Sequence, residues 1–335
     1  MLWLFACIGG ESKAPDQTSF RAVFIADSHV IGANYQCCSE SDGIDNQSIM
    51  KTPERLTKVV REINALKPAP DLVFLLGDIV HNAYVEGQID YYTADNGNAF
   101  SVAHEILRQL NVPFYPVFGN HDYSQRCGGG FERELSHQLF AEFWGAEPYY
   151  QVDHKGWSFI VVNSQLGHTW DPTDPGCNNS VGSFGQAQLE WLSAKLDEQP
   201  TLVLGHHMVP VLSAQETTQG QGYSGLQETL SVAIDAGKRV DGYWVGHTHR
   251  WMNFQDAYPF SHRVLGSTRF DDDNYWLVEF GEELTILDAE KSEEGVPCSE
   301  DWLYSGFIDY DQLLGGPEFL PYKNPEHPEE TGDCQ

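Results

Sequence analysis

Basic residues are scarce in this 335-residue sequence: 19 Lys and Arg stand against 49 Asp and Glu, a formal net charge of −30. A protein that holds long nucleic acid through its phosphates needs a surplus of Lys and Arg on some face, so this composition argues against one. Long apolar runs are lacking too. No stretch of roughly 18 apolar residues occurs, which leaves no candidate for a membrane-spanning helix. Cysteine is sparse, seven in all, and no two form a C-x-x-C pair, so a zinc knuckle is not expected. No segment repeats another. Apolar content, by contrast, is ample: 41% hydrophobic and 13% aromatic residues are too many for a disordered polyanion. The length fits one large domain or two small ones with a sizeable core.

The two ends differ from the middle. Met1-Leu2-Trp3-Leu4-Phe5-Ala6-Cys7 is apolar but lacks the basic flank and the apolar core of about 7–15 residues that mark a signal peptide. Leu4-Phe5-Ala6-Cys7 resembles a bacterial lipobox, with Cys7 as the lipid anchor and the polar run up to Pro15 as a tether. The other reading is a frayed or misassigned start. Residues 1–19 are therefore read as a leader and tether, 20–289 as the domain, and 290–335 as an acidic tail. That tail is rich in Pro and Gly and holds 12 Asp and Glu against 2 Lys. Six further cysteines, Cys37, Cys38, Cys127, Cys177, Cys298 and Cys334, lie in loop-like surroundings and suit disulfides in an oxidising, extracytoplasmic location. Six cysteines allow 15 pairings; Cys298 and Cys334 could close the tail on itself.

Between the ends, apolar runs alternate with amphipathic ones. Ala22–Ala26, Leu72–Leu76, Phe114–Phe118, Phe159–Val162, Leu202–Leu204 and Tyr243–Val245 read as strands. A helix opens at Thr52-Pro53-Glu54, with Thr52 as N-cap, and presents Leu56, Val59, Val60, Ile63 and Leu66 on one face. Further helices are expected over Val102–Leu110, Phe131–Trp144, Gln186–Leu196 and Leu226–Ala236, and Arg263–Leu287 reads as all strand. Alternation of this kind implies an α/β architecture.

Chemistry-bearing residues follow each strand: Asp27-Ser28-His29, Gly77-Asp78, Gly119-Asn120-His121-Asp122, Gly205-His206-His207 and Gly246-His247-Thr248-His249. In an open α/β sheet the carboxyl ends of strands converge on one crevice. Imidazole with carboxylate suits Fe, Mn, Zn, Co or Ni rather than Mg or Ca. Seven or more ligands exceed what one ion needs, so two divalent or trivalent transition-metal ions are expected. A shared carboxylate can bridge ions about 3.5–4 Å apart, the geometry of two-metal phosphoryl chemistry. The glycines ahead of Asp78, Asn120, His206 and His247 are expected to make tight turns that aim the next side chain.

These five blocks, in this order over about Arg21 to Phe280, resemble the calcineurin-like metallophosphoesterases. The resemblance implies a four-layer sandwich, two mixed β-sheets face to face flanked by helices. It implies that Asp27, His29 and His249 hold one metal, that Asn120, His206 and His247 hold the other, and that Asp78 bridges them. It further implies that His121 protonates the leaving oxygen, that Asp122 orients His121 and favours its charged form, and that a bridging hydroxide attacks phosphorus.

Departures from branches of the family narrow the reading. His81 stands where purple acid phosphatases carry a tyrosine ligand, and the first motif has a histidine, His29, that they lack. Both argue against an Fe(III)–tyrosinate site. Gly-Asp-x-x-His resembles the DNA-repair exonuclease branch, with a loop histidine as the plain alternative. His207 matches no ligand position. Three insertions, about His81–Asn98, Gln165–Gly185 and Pro210–Gly225, border the crevice and carry Tyr84, Tyr91, Tyr92, Trp170 and Tyr223. They are read first as loop anchors and second as stacking surfaces for a base or sugar. Arg126 and Arg250 are candidate substrate-binding phosphate contacts, or solvated surface residues.

The expected function is hydrolysis of a small phosphate ester at a dinuclear metal site. A phosphodiesterase of the cyclic nucleotide or nuclease type is the alternative. A zinc amidohydrolase does not suit Gly-Asn-His-Asp followed by Gly-His-x-His. A non-catalytic, metal-stabilised surface protein would have lost His121 or a ligand, and none is lost. One third of the net charge lies in the tail. At the site, Asp27 and Asp78 would meet two cations, giving a positive pit in an acidic body, which suits a small ester and repels a long polyanion.

Overall fold

The computed structural model describes residues 19–36, 44–81, 83–94, 96–214, 225–254, 257–287 and 318–319. Cys7, Cys37, Cys38, Cys298, Cys334 and Tyr223, and with them the lipobox reading and any closure of the tail, lie outside the described residues.

Two sheets form. In the first, β1 (Phe20–Ile25), β2 (Leu72–Leu75) and β3 (Phe114–Pro116) run parallel, and β10 (Tyr275–Phe280) and β11 (Leu284–Ile286) add antiparallel strands in the order β11-β10-β1-β2-β3. The second sheet has the order β12-β8-β9-β7-β6-β5-β4. Its parallel centre is β5 (Trp157–Val161), β6 (Thr201–Leu204), β7 (Val240–Val245) and β9 (Ser261–Val264). The antiparallel edges are β4 (Tyr150–His154) on one side and β8 (Met252–Asn253) with β12 (Glu318–Phe319) on the other. Among the described residues the α-helices are α1 (Ile44–Met50), α2 (Thr52–Ala65), α3 (Ile89–Thr93), α4 (Ala99–Leu107), α5 (Arg133–Trp144), α6 (Gln186–Lys195) and α7 (Gly225–Asp235). None of the described helices is long and apolar enough to cross a membrane.

Strand alternation explains the layers. In β1, Phe20, Ala22 and Phe24 face the second sheet, while Val23 and Ile25 face α2, α4 and α5. In β5 and β6, Trp157, Phe159, Leu202 and Leu204 face the first sheet, while Ile160 and Val203 face α6 and α7. The inter-sheet core is aromatic: Phe24 meets Trp244 edge-on at 5.1 Å and Phe74 meets Phe159 at 4.8 Å. This is the expected four-layer sandwich, with mixed sheets face to face.

Details differ from expectation at element ends. Thr52 does not cap α2; Lys51 holds the cap position, and the Thr52 hydroxyl donates to the Ile49 carbonyl. The helix expected from Val102 begins at Ala99, because Asn98 accepts the Ser101 N–H and caps it there. β4, α1 and α3 were not expected. β4 sits at a sheet edge and is only partly buried: Tyr150 and Val152 pack against the inter-sheet core, and Gln151 and Asp153 alternate with them.

Candidate active site

Every predicted cluster sits where a strand of the parallel centre ends. Beyond β1 and β2 the backbones stay paired through Asp27 N–H to Gly77 O, His29 N–H to Asp78 O and Val30 N–H to Ile79 O. Asp27, His29, Asp78, His247 and His249 all have φ between 45° and 76°. Non-glycine residues rarely adopt this left-handed region, and clusters of them mark functional sites.

The glycines ahead of the ligands act mainly through space. Only Gly77 of the four has positive φ. A Cβ on Gly119 would lie 2.2 Å from Asp78 Oδ1, one on Gly205 2.5 Å from the Tyr243 hydroxyl, and one on Gly246 2.4 Å from Asp27 Oδ2. The tight-turn expectation therefore holds at Gly77; elsewhere glycine is needed because a ligand side chain or its support fills the place of Cβ.

Two donor groups share one carboxylate. Asp27, His29, Asp78 and His249 bring one ligand atom each within 4.8 Å of one another, and His29 Nε2 and His249 Nε2 are 2.9 Å apart. In the second group, Asn120 Oδ1 is 3.0 Å from both His206 Nε2 and His247 Nδ1. Asp78 Oδ2 lies 3.5 Å from His29 Nε2 and 3.4 Å from His206 Nε2, between the two groups. Donors bound to one cation at about 2.1 Å stand ~3.0 Å apart at a right angle and ~3.4 Å at the tetrahedral angle. Asp27, His29, Asp78 and His249 are thus placed so that they could hold a metal ion, and the spacings within the second group fall in the same range.

The carboxylates also strap the loops together. Asp27 accepts the His247 N–H at 3.0 and 3.1 Å, and Asp78 Oδ1 accepts the His121 N–H at 2.7 Å. The His206 Nδ1 donates to the Leu76 carbonyl at 2.8 Å, which turns Nε2 toward Asn120 and Asp78. Burial holds His29 and His249 well below the ordinary histidine range and His247 down to about 3, so these rings are neutral, the form that binds metal. Against burial, the Asp78 carboxylate lifts His206 to about 9.

His121 is placed beside this cage. Its ring lies 4.6 Å from His29, and its buried Nδ1 has no partner among the described residues. Asp122 does not reach it. The Asp122 carboxylate instead accepts N–H groups from Ile79 at 2.9 Å, Val80 at 3.1 Å and Gly119 at 2.8 Å. Its task here is to clamp the two loops that carry Asp78 and Asn120, which differs from the orienting role the resemblance implied. Burial first, and the Asp78 charge second, raise Asp122 to about 8.

The remaining candidates separate. His81 joins the site: its Nδ1 is 3.1 Å from His29 Nδ1, and its ring stacks on His121 at 4.8 Å and 18°. His207 is buried packing, bonded to Ser164 at 2.7 Å and to the Asn179 carbonyl at 3.1 Å. Tyr84, Tyr92 and Trp170 anchor their loops, as first read. The Tyr92 hydroxyl, for example, ties Val85 and Glu86, and Arg133 covers Trp170 at 5.3 Å. Arg250 is buried and Arg126 exposed. A disulfide joins Cys127, just past the Asn120–Asp122 loop, to Cys177 in the 165–185 insertion, with Cα atoms 5.5 Å apart.

Sequence reasoning missed Ser267, Thr268 and Arg269. The Ser267 hydroxyl and the Arg269 N–H bond to the Asp27 carbonyl, and Thr268 bonds to that of Ala26, so this loop fixes the end of β1. The Arg269 charge adds to burial in depressing His81, His121 and His249. No motif in Gly-Ser-Thr-Arg signals that role. A larger open depression of about 710 Å³, lined by Arg239, Asp241, Arg263 and Glu282, is at the opposite ends of β7 and β9 and takes no part.

The sequence profile described as calcineurin-like phosphoesterase matches residues 20–251. The chain is 26% identical over 198 residues to a probable glycerophosphodiester phosphodiesterase of Arcobacter nitrofigilis, covering 58% of this chain and 62% of that protein. It is 23% identical over 204 residues to a 3',5'-cyclic-nucleotide phosphodiesterase of Nostoc sp., covering 60% and 64%. The matched stretch thus spans about three fifths of either relative's length. In fold it is similar to a dimetal phosphatase from Danio rerio, with a TM-score of 0.52 at 15% identity over 80% of this chain and 95% of that one. With the profile covering more than half its length, the chain belongs to the calcineurin-like phosphoesterases.

Proposed function

We propose that this chain hydrolyses a small phosphate ester at a site loaded with two transition-metal ions. The observation that carries the reading is the position of Asp78 Oδ2, nearly equidistant from His29 Nε2 and His206 Nε2. Asp27, His29 and His249 would hold one ion, Asn120, His206 and His247 the other, and Asp78 both. When bound, the ions would supply Lewis acidity toward the phosphate oxygens and an acidified water as nucleophile.

The chain's own residues do the rest. The strained ligand backbone and the straps from Asp27 and Asp78 fix the donors before substrate arrives. His121 stands beside the cage with one ring nitrogen unsatisfied; it gives its proton to the leaving oxygen, which departs as an alcohol. Arg126 and Arg250 are candidates for holding the phosphate, and the neutral His81 supports His29. The names of the relatives favour a diester over a monoester as substrate. The Cys127–Cys177 disulfide supports an extracytoplasmic location.

The test is metal analysis of pure, metal-replete protein, followed by a panel of phosphomonoesters, bis-aryl phosphates and cyclic nucleotides with Mn, Zn, Fe, Ni and Mg. Two ions per chain and turnover of at least one ester class are expected, with His121→Ala slowing turnover while retaining metal. One ion or none per chain would end the two-metal reading.

A further inference from the structure

The second group of ligands is supported from outside the cage. We infer that His207 is a positioning residue for the second metal ion, through which the 165–185 insertion sets how tightly that ion is held. This rests on the two-metal reading above.

The His207 ring is fully buried and tied at both nitrogens. Nδ1 meets the Ser164 hydroxyl at 2.7 Å, and Nε2 donates to the Asn179 carbonyl at 3.1 Å. Ser164 follows β5 and Asn179 belongs to the insertion, so the ring links the two. The main chain is held as well, because the Tyr243 hydroxyl donates to the His207 carbonyl at 2.7 Å. Space is tight: a Cβ on Gly182 would lie 2.9 Å from His207 Cβ and 3.0 Å from Ser164 Cβ. Bonds on opposite sides of a packed ring leave it one orientation.

That orientation sets the ring against His247. The two ring centres are 4.2 Å apart at 42°, whereas His206 is 5.2 and 5.1 Å from them. His247 needs a support there. Its backbone is held in the left-handed region at φ 76°, and its Nδ1 must stay 3.0 Å from Asn120 Oδ1 for the two to share an ion. The residue after Asn179 adds a direct contact, since the Ser180 carbonyl accepts a hydrogen bond from the His247 ring. Two consecutive carbonyls of the insertion thus reach the second group, one through His207 and one directly.

The insertion is anchored firmly enough to act this way. The Cys127–Cys177 disulfide closes it two residues before Asn179. The Asn178 N–H donates to the Thr169 carbonyl at 2.7 Å, and the Gln165 side-chain amide to the Asn179 carbonyl at 3.2 Å. Gly182 exchanges main-chain bonds with Val211 and Ser213 at 2.9 and 2.8 Å. The first group takes its support elsewhere, from the Ser267–Arg269 loop behind Asp27. The two ions should therefore differ in their dependence on His207.

The experiment titrates the chelator-stripped full chain with Mn(II) and reads binding by calorimetry, with no substrate present. His207→Phe keeps a ring against His247 and removes both bonds. Outer partners of metal-bound histidines are worth about 10–100-fold in metal affinity, so one of two binding steps should weaken by that factor and the other stay within about twofold. Ser164→Ala, a smaller change, should weaken the same step about fivefold, as for one ordinary hydrogen bond. In a His249→Ala background, where only the second site is left, His207→Phe should weaken the single remaining step. Melting of metal-free protein checks that each variant folds; should His207→Phe not fold, Ser164→Ala decides by the same comparison. Equal weakening of both steps would make His207 a residue of the fold alone and overturn the inference, as would two steps untouched by both substitutions. A single step in the unaltered chain would instead end the two-metal reading, and the inference with it.

Discussion

His29 Nε2 and His249 Nε2 face each other at 2.9 Å in a buried cage, and both rings are held neutral. One nitrogen can give a proton to the other, but the adjacent Asp27 and Asp78 carboxylates make a cation the better occupant. His249→Ala should therefore lose one of two ions in elemental analysis. Chelator-stripped protein should melt lower than loaded protein. At a metal concentration of about 100 times Kd the gain is about 2.7 kcal/mol, or about 5 °C for a domain of this size. Equal melting points with and without metal would contradict the site.

Asp122 gives a sharper test of role. Asp122→Asn replaces one acceptor oxygen by an N–H₂ facing a main-chain N–H, from Gly119 or from Ile79 and Val80. A loss of about 1–3 kcal/mol and weaker metal retention are expected, because the clamp on the Asp78 loop is broken. If Asp122 served His121 instead, the variant would keep its metal and stability and shift only the pH profile of turnover.

Gly246→Ala probes the close packing around Asp27. The new Cβ would lie 2.4 Å from Asp27 Oδ2 and 3.0 Å from both Ala26 Cβ and the Leu76 carbonyl. Overpacking of this kind costs about 1–3 kcal/mol, and Asp27 must move to relieve it. Metal content should fall in step with stability. A variant with full metal content and unchanged melting would show that the site tolerates a Cβ there.

How much of this was legible follows from where the information resides. The candidate ligands were legible because they stand in the short segments just past apolar strands, and strand ends converge whatever the helices do. His81 could be noticed as an extra histidine, but its place beside both His29 and His121 depends on how two loops meet. Asp122 looks from sequence like the partner of its neighbour His121; only the fold brings the Ile79 and Val80 N–H groups to it. Arg269 follows a stretch with no motif at all. One cysteine pair of the 15 arrangements becomes fixed only when the 165–185 insertion lies against the loop after Asp122.

That pair, Cys127–Cys177, closes a separation of 50 residues. It lies beside the bonds from Gly129 and Gly130 N–H to the Pro172 carbonyl at 3.0 and 3.2 Å. Cys127→Ala with Cys177→Ala should cost about 2–4 kcal/mol. Calorimetry under oxidising conditions reads the change against the parent; identical melting would show that the loop contacts alone hold the insertion.

His262 carries a pH dependence that does not involve the metal cage. It is fully buried; its Nδ1 donates to the Tyr243 carbonyl at 2.8 Å and its Nε2 accepts the Val209 N–H at 3.1 Å. The bond from Val209 requires the neutral ring, and burial pushes His262 down to about 4, with the Tyr243 bond opposing. An unfolded histidine titrates near 6.5. Between about pH 6.5 and 4 the unfolded chain therefore binds a proton that the folded chain refuses, so stability falls as pH falls through that window. The slope approaches about 1.4 kcal/mol per pH unit and the total is on the order of 3 kcal/mol. His262→Asn can keep the donor to Tyr243 and has no group that titrates there. It should be less stable than the parent at pH 7, yet lose less on acidification to pH 4.5 in urea melts of metal-loaded protein. Parallel pH curves for the two proteins would show that His262 is not the group responsible.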